Sequence, residues 1–512
     1  MKNIFEEYYN IFINKKKFVY IYVIALLLLT LGMFNHSNFL QPKTEIIFFV
    51  FSAVLGIFLI LYAFKNKNNL HKVAFLTILI VGGLIVFFAP PFIVPDEYFH
   101  INHALSLLDG HFFLENSKVI DYNLRVLVNE FYWPLLQSYD YILKTNPGIG
   151  AIIFNNNVAF TPISNFTDIC VYSRTTSGPF YPYIFSAIGL FIAKFFDVGI
   201  IQAMWLSRIP NLIVYAIATF FAIKKAPAYK MGLLVVSCNP LTLSLVASSN
   251  YDSFNFTCLI VAMSLFISMY KHKVTFKNLS GFIICCLLMT FVKQTYFFLI
   301  MLLFLIPFNS YDFKKINKNQ YKKILIGIMA FILLGIIIML FICYFNMIPM
   351  EGHSNQRLVD SLTSSNYALD IFKSSLTFLW KMIINTPGYR EYVVGTFKGA
   401  ELYNILYFVF FIGFSVLYPF KVKLSKNKKI FLGLCCMAFY LGMFFLVHIL
   451  WGTPKSDLNN SIQARYFIPL LPLIPLILNY PIKKIKNIEY YTLTGVIIFS
   501  VGFLMFLATH FY

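Results

Sequence analysis

Pro90-Pro91-Phe92-Ile93-Val94-Pro95-Asp96-Glu97-Tyr98-Phe99-His100-Ile101-Asn102-His103 is the stretch on which the reading of this chain turns. An apolar run of membrane-spanning length ends in the two prolines. Two adjacent carboxylates follow, then two histidines at helical spacing. After them comes the longest polar segment in the chain, reaching about residue 203. Ionisable groups set where a span meets water are costly to keep there and by default mark a functional site.

The rest of the chain makes that setting a membrane. Of its 512 residues 59% are hydrophobic and only 12% are charged, more apolar surface than a soluble domain can hide. Apolar runs of roughly 17 to 25 residues recur, the length needed to cross a bilayer. The formal charge of +20 could suggest nucleic acid. The lysines, however, sit in short clusters between apolar runs, at Lys15–Lys17, Lys65–Lys72, Lys224–Lys230, Lys271–Lys277, Lys314–Lys323, Lys421–Lys429 and Lys483–Lys486. That is the pattern of cytoplasmic loops, so no nucleic-acid partner is expected. Seven of the eight cysteines fall within apolar runs, where they act as small apolar residues; only Cys170 lies in a long polar loop, and no disulfide framework is expected. Met1–Lys17 is too long and too mixed for a cleaved signal and reads as a short cytoplasmic amphipathic helix.

The fold expected is an all-α polytopic membrane protein with about thirteen transmembrane helices, N-terminus cytoplasmic and C-terminus exterior, in the plasma membrane. Spans are read at 18–37, 46–64, 73–93, 204–223, 231–248, 254–270, 279–292, 295–308, 324–346, 401–420, 430–450, 465–482 and 490–510. Residues 180–196 also look like a span, but a crossing there would put Lys224, Lys225 and Lys230 outside. Rich in Tyr and Phe and carrying Lys194, the segment is instead expected to lie flat at the exterior interface. Four parts follow: residues 1–72 with two extra spans, a core over 73–346 with an exterior loop at 94–203, a second exterior loop at 347–400, and C-terminal spans over 401–512. The first exterior loop holds five basic and nine acidic residues, opposite in balance to the lysine-rich turns.

This topology gathers the unusual polar residues on the exterior side. Asp96, Glu97, His100 and His103 end the third span, Arg208 opens the fourth, and Asp252, Lys293, Gln463 and Arg465 sit at exterior turns. Carboxylates can serve as a general base, and Arg or Lys can hold a phosphate. Plainer roles stand beside these. Asp96 and Asp252 could cap helices, Lys293 could snorkel, and Arg465 beside Tyr466 could anchor an interface. Asp96, Glu97, His100 and His103 could ligate a divalent metal ion or simply form a polar interfacial face, and neither a second such motif nor a cysteine pair backs the metal. Asn165-Phe166-Thr167 and Asn459-Asn460-Ser461 match the glycosylation acceptor pattern, which is frequent by chance.

Six short motifs in order resemble those of a bacterial membrane-protein family catalogued as domain of unknown function 2142. They are Pro95-Asp96-Glu97 with His100, Ala104-Leu105-Ser106 and Asp109-Gly110; Gly178-Pro179-Phe180-Tyr181-Pro182-Tyr183; Leu206-Ser207-Arg208; Asn239-Pro240 with Ser249-Asn250-Tyr251-Asp252; Lys293-Gln294-Thr295-Tyr296; and Gln463-Ala464-Arg465-Tyr466-Phe467-Ile468-Pro469-Leu470. Gln294 stands where the family usually has proline and Ala464 where it has glycine. The resemblance spans about 85–482. The family is similar in layout to the GT-C glycosyltransferases, which take a sugar from a polyprenyl-phosphate or diphosphate carrier at the exterior face. Their first exterior loop carries an acidic residue followed by interfacial helices.

What the resemblance implies is a glycosyltransferase using a polyprenyl-phosphate-linked sugar donor and a cell-surface glycan acceptor such as teichoic acid. Asp96, with Glu97 as neighbour or alternative, matches the catalytic acidic residue, which acts as general base. Arg465, Lys293 and Arg208 would stabilise the phosphate leaving group, with Gln463, Asp252 and His100 around it. A polymerase or ligase acting on diphosphate-linked chains would use the same face. A transporter of lipid-linked glycans would need ionisable groups deep in spans or paired broken repeats. A non-catalytic assembly partner would tolerate loss of Asp96.

Overall fold

The computed structural model describes residues 2–34, 42–90, 94, 96–108, 110, 112, 179–307, 310, 365–385, 400–451, 462–480 and 485–511. Among these residues the chain is helical, with no β-strand. Seven helices are long and apolar enough to cross a membrane: Glu6–Met33, Ile46–Lys65, Leu70–Phe88, Ile200–Lys225, Asp252–Lys271, Lys426–Val447 and Ile488–Ala508. All seven coincide with spans read from the apolar runs. The predicted span at 324–346 and most of the loop at 94–203 lie outside the described residues.

Four helices run between the same two ends of the bundle. Leu70–Phe88 starts beside Lys72, Ile200–Lys225 ends on Lys224 and Lys225, Asp252–Lys271 ends on Lys271, and Phe276–Val292 starts beside Lys277. Lysine turns distant in sequence meet at that end. The His71 ring stands edge-on to Phe220 at 4.8 Å, Tyr270 Oη donates to the Lys423 carbonyl at 2.9 Å, and Lys428 Nζ donates to the Leu305 carbonyl at 2.7 Å. The other ends of the same four helices carry Ala89, Arg208, Asp252 and Lys293. The lysines and the candidate site thus occupy opposite ends, as the charge pattern predicts.

Of the runs read as continuous spans, two are broken and a third winds as a 3-10 helix. Residues 231–248 divide into Lys230–Ser237 and Pro240–Val246. Pro240 has no N–H to give and drives the preceding residue out of helical geometry. Asn239 accordingly takes ψ 135 and caps the second piece, its side chain accepting from Thr242 N at 2.9 Å. Residues 465–482 become a 3-10 helix, Ala464–Leu470, and a short α-helix, Ile474–Leu478; Pro469, Pro472 and Pro475 interrupt the i→i−4 ladder. The run at 295–308 is a 3-10 helix over Gln294–Leu305. At about 2.0 Å per residue such a helix stretches twelve residues over about 24 Å, so a short segment reaches far across the bundle.

Residues 180–196 depart from the predicted flat placement. A 3-10 turn at Tyr181–Tyr183 leads into the helix Ile184–Phe195, which turns back at Asp197 (φ 47) and pairs with Ile200–Lys225 as an antiparallel hairpin. Asn211 Nδ2 donates to Ser186 Oγ at 2.8 Å, eleven residues down one helix and nine down the other from their joint. Gly189 permits the approach, since a Cβ there would meet the Leu206 carbonyl oxygen at 1.9 Å. Twelve α-helical residues rise only about 18 Å, less than the thickness of a bilayer core. Gly189→Ala is expected to cost about 1–3 kcal/mol by overpacking, checked as a lowered unfolding midpoint in detergent. An unchanged midpoint would mean that the hairpin is not closed at that point.

The loop at 347–400 contains a helix that the sequence reading omits, Ser365–Asn385. Tyr440 Oη donates to its Ser375 carbonyl at 2.7 Å, while Leu369, Phe372, Leu376, Trp380 and Ile383 leave an apolar stripe exposed. The two extra N-terminal helices also find a place. Lys2–Phe34, broken at Lys15 (φ −125), and Pro42–Lys65 pack on each other and on the last helix, Ile488–Phe511. Ala400–Leu417 packs on that last helix as well, with Tyr403 Oη donating to the Phe499 carbonyl at 2.6 Å. The last helix is therefore the most enclosed of the spans.

Candidate active site at the acid–base end of the bundle

The helix Glu97–Leu108 follows the third span in the chain. Asp96 immediately precedes this helix with φ 64, a left-handed conformation that Asp tolerates better than most residues. Its carbonyl accepts the helical bond from His100 N at 3.2 Å. Its carboxylate reaches Arg465, whose Nη2 donates to Oδ2. The cap role open to Asp96 in the sequence therefore falls to its backbone, while the side chain makes an ion pair.

Arg465 is 1% exposed, and its Nε lies 3.8 Å from Asp252 Oδ2. Asp252, fully buried, opens the helix Asp252–Lys271 and accepts from Lys293 Nζ at 2.9 Å. Carboxylate, guanidinium, carboxylate and ammonium thus alternate from Asp96 through Arg465 and Asp252 to Lys293. Buried charges persist only when paired, and alternation pairs each one. Lys293 is 11% exposed and turned inward, so it does not snorkel. Burial pushes its ammonium below the usual lysine pKa against the pull of Asp252. Tyrosine faces complete the cation sites: Lys293 Nζ lies 4.4 Å from the Tyr466 ring centre and 4.9 Å from that of Tyr251, and the Arg465 guanidinium lies 5.5 Å from Tyr466.

Asp96 is the carboxylate with access to solvent, its side chain 38% exposed. Behind it, hydrogen-bonding capacity is left over. Among the described residues, Asp252 Oδ2, Tyr296 Oη, His100 Nε2 and Gln463 Oε1 are buried without a hydrogen-bond partner. Such groups are rare in a protein interior and are met by water or a ligand.

Glu97 and Arg208 form a separate pair beside this chain. Arg208 donates from Nε to Glu97 Oε1 at 2.8 Å and from Nη2 to Oε2 at 2.6 Å. Its remaining hydrogens go to the carbonyls of Val86 (3.0 Å), Ala89 (2.8 Å) and Pro90 (3.2 Å). All five guanidinium N–H groups are engaged, three of them on the C-terminal carbonyls that a helix leaves unsatisfied. Glu97 also accepts from Ser249 N at 3.2 Å and has no exposed surface. The phosphate-binding role expected for Arg208 and the proton-accepting role open to Glu97 would each require this lock to be broken.

The two histidines are buried among tyrosines. His100 Nδ1 pairs with Tyr183 Oη at 3.0 Å, and its ring stands edge-on to Tyr251 at 4.5 Å. His103 stacks on Tyr183 at 4.1 Å. The metal set open in the sequence is not assembled: Glu97 is held by Arg208, and no group of three or more His, Cys, Asp or Glu among the described residues is placed to hold an ion. Burial drives the His100 pKa well below the ordinary histidine value, with Arg465 adding to the effect, and lowers His103 to about 4. Both rings therefore bind protons more weakly folded than unfolded. Stability is full above the unfolded value near 6.5 and falls as pH drops, by about 1.4 kcal/mol per unit for each histidine, until the folded pKa is reached. His103→Asn is expected to flatten the dependence of the unfolding midpoint between about pH 7 and pH 5; an equally steep profile would remove His103 as its source.

The residues that sequence reasoning missed are the tyrosines Tyr183, Tyr251, Tyr296 and Tyr466. Each lies inside a motif quoted above, within three residues of a charged or proline position, and that proximity is the signal that marks them.

These features define a multi-span helical membrane protein with a cluster of buried charges, partly open to solvent at Asp96, at the end of the bundle opposite its lysines. The chain belongs to the family described as "Predicted membrane protein (DUF2142)", whose profile matches residues 79–474. No curated protein and no solved structure matches the chain.

Proposed function

We propose that this chain is a GT-C-type membrane glycosyltransferase that moves a sugar from a polyprenyl-phosphate or diphosphate carrier to a cell-surface glycan at the exterior face of the plasma membrane. The observation that carries the reading is the carboxylate of the cluster that is accessible among the described residues, Asp96, in contact with a buried guanidinium and backed by the ammonium of Lys293. A base for the acceptor and cations for the leaving phosphate are what glycosyl transfer requires.

In this reading the acceptor hydroxyl oxygen forms a bond to the anomeric carbon while the bond from that carbon to the carrier phosphate breaks. The hydroxyl proton passes to Asp96, and the electron pair leaves on the carrier phosphate, stabilised by Arg465 and Lys293. Arg465 is shared between Asp96 and Asp252 before substrate arrives. An incoming phosphate competes with Asp96 for that guanidinium, so donor binding would loosen Asp96 for its role as base. Arg208 and Glu97 shape the end of the third span and take no part in the transfer. The thirteen-span topology and the GT-C likeness belong to this proposal.

The test is transfer of label from a pool of radiolabelled polyprenyl-phosphate sugars to glycan in membranes holding the purified chain, with Asp96→Asn alongside. Label reaching glycan only with the native chain supports the proposal. Label that stays on lipid but changes leaflet with both proteins would make the chain a transporter.

A further inference from the structure

The two N-terminal helices and the last helix lie largely outside the family-matched residues 79–474, and at their lysine-rich ends three ammonium groups converge on two tyrosines. Lys15 Nζ lies 4.2 Å from the Tyr490 ring centre and Lys67 Nζ lies 5.2 Å from the same centre. Lys67 also donates to Tyr490 Oη at 3.2 Å. Lys17 Nζ stands 5.4 Å from the neighbouring Tyr491 ring. The rings are fixed by Phe18 and Phe64, with Phe64 edge-on to Tyr490 at 4.8 Å and Phe18 edge-on to Tyr491 at 4.9 Å.

Charge here is unbalanced. Glu7 is the partner of Lys65, at 2.6 Å. Among the described residues no ion pair joins Lys15, Lys17 or Lys67 to a carboxylate. Lys15 and Lys67 share one ring and are no further apart than the sum of their distances to its centre, within about a Debye length. A tyrosine face attracts a cation weakly and does nothing to reduce repulsion between two of them. Glu489, beside Tyr490 in the first turn of the last helix, makes no ion pair with these lysines, and an anion from outside the chain would reduce the repulsion among them.

The surface next to the cluster shows what carries it. One turn beyond Lys17 an apolar row begins on the same helix, Tyr20, Ile24 and Leu28, each more than half exposed. A ligand with an anionic head and long apolar tails fits both features at once, head on the lysines and tails along the row. The charge rule places this end of the bundle at the cytoplasmic leaflet, where anionic lipid gathers on basic segments.

We infer that Lys15, Lys17 and Lys67, set on Tyr490 and Tyr491, form a binding site for the headgroup of an anionic phospholipid that clamps the N-terminal helix pair to the last helix. The break in the first helix at Lys15 lets the preceding residues turn along the membrane surface while Lys15 stays on the ring.

The experiment uses the full chain in detergent, with phosphatidylglycerol or phosphatidylcholine added to the micelles. Phosphatidylglycerol is expected to raise the unfolding midpoint by about 2–4 °C and to stay bound in native mass spectrometry. Phosphatidylcholine should do neither, and the variant carrying K15Q and K67Q should lose the response while the variant carrying K15R and K67R keeps it. An equal shift with phosphatidylcholine, or an undiminished response in the Gln variant, overturns the site. Inorganic phosphate reproducing the whole shift would make it a free-anion site and overturn the lipid assignment. Should the Gln variant fail to fold, the native chain decides by salt: lipid retention unaffected between roughly 0.05 and 0.5 M NaCl would exclude recognition by charge.

Discussion

Asp96→Asn is expected to lower sugar transfer by about 10²–10⁴-fold, the usual contribution of a positioned general base, while lowering the unfolding midpoint less than loss of the fully buried Glu97 does. The two halves have separate causes. Asn keeps the size of the side chain and can still accept from Arg465 Nη2, and more than a third of the Asp96 side chain already faces solvent. Arg465 is buried and keeps only Asp252, at 3.8 Å, as a carboxylate neighbour, so the loss of the Asp96 charge costs some stability, reduced by the water that reaches this side chain. What Asn lacks is a lone pair basic enough to take the acceptor proton. Substrate affinity should hold or rise, because removing the Asp96 charge leaves Arg465 more open to a phosphate. Transfer measured at saturating donor, with a donor-binding titration beside it, separates these effects. Transfer within threefold of the native rate would remove Asp96 as the base. A collapse of folding instead would mean that its pairing with Arg465 is structural.

Much of this was legible in the chain because two signals act at different scales. Apolar runs and lysine spacing are averages over many residues, and they gave all seven long helices and their common polarity. The charged residues at the other end, Asp96, Asp252, Lys293 and Arg465, were each singled out because a charge at the end of an apolar run costs too much to be incidental. Pairing was not legible. Nothing in the order of residues says that Arg208 turns to Glu97 and the end of the third helix while Arg465 turns to Asp96, since both arginines open apolar segments and differ only in what tertiary packing brings to them. The hairpin at 184–195 was missed for a related reason. Its tyrosines and phenylalanines suit an interface, but the small residue Gly189 and the polar pair Ser186 and Asn211 favour a helix partner, and composition weighs the first signal more than the second. The breaks at Asn239-Pro240 and at Pro469, Pro472 and Pro475 were written in the prolines and were overridden by hydropathy.

Glu97→Gln is expected to destabilise the fold by about 3–5 kcal/mol, the usual cost of removing one partner from a buried ion pair. Arg208, 1% exposed, would keep its charge after losing the Glu97 carboxylate. Arg208→Met should cost at least as much, because the carbonyls of Val86, Ala89 and Pro90 lose their donor along with the charge. In the double variant both charges are gone, so only the unsatisfied carbonyls remain and the loss should fall well short of the sum of the singles. A double-mutant cycle on unfolding in detergent reads this directly, and a coupling energy of about 2 kcal/mol or more is expected. Simple additivity would mean that the two side chains do not act as a pair. The cycle also bears on the chemistry. If Glu97 only holds Arg208 in place, the Glu97→Gln protein that remains folded should transfer sugar at a rate near that of the native chain per folded molecule, the reverse of Asp96→Asn. A Glu97→Gln chain that folds fully but transfers nothing would instead make Glu97 the base and leave Asp96 as the residue that positions Arg465.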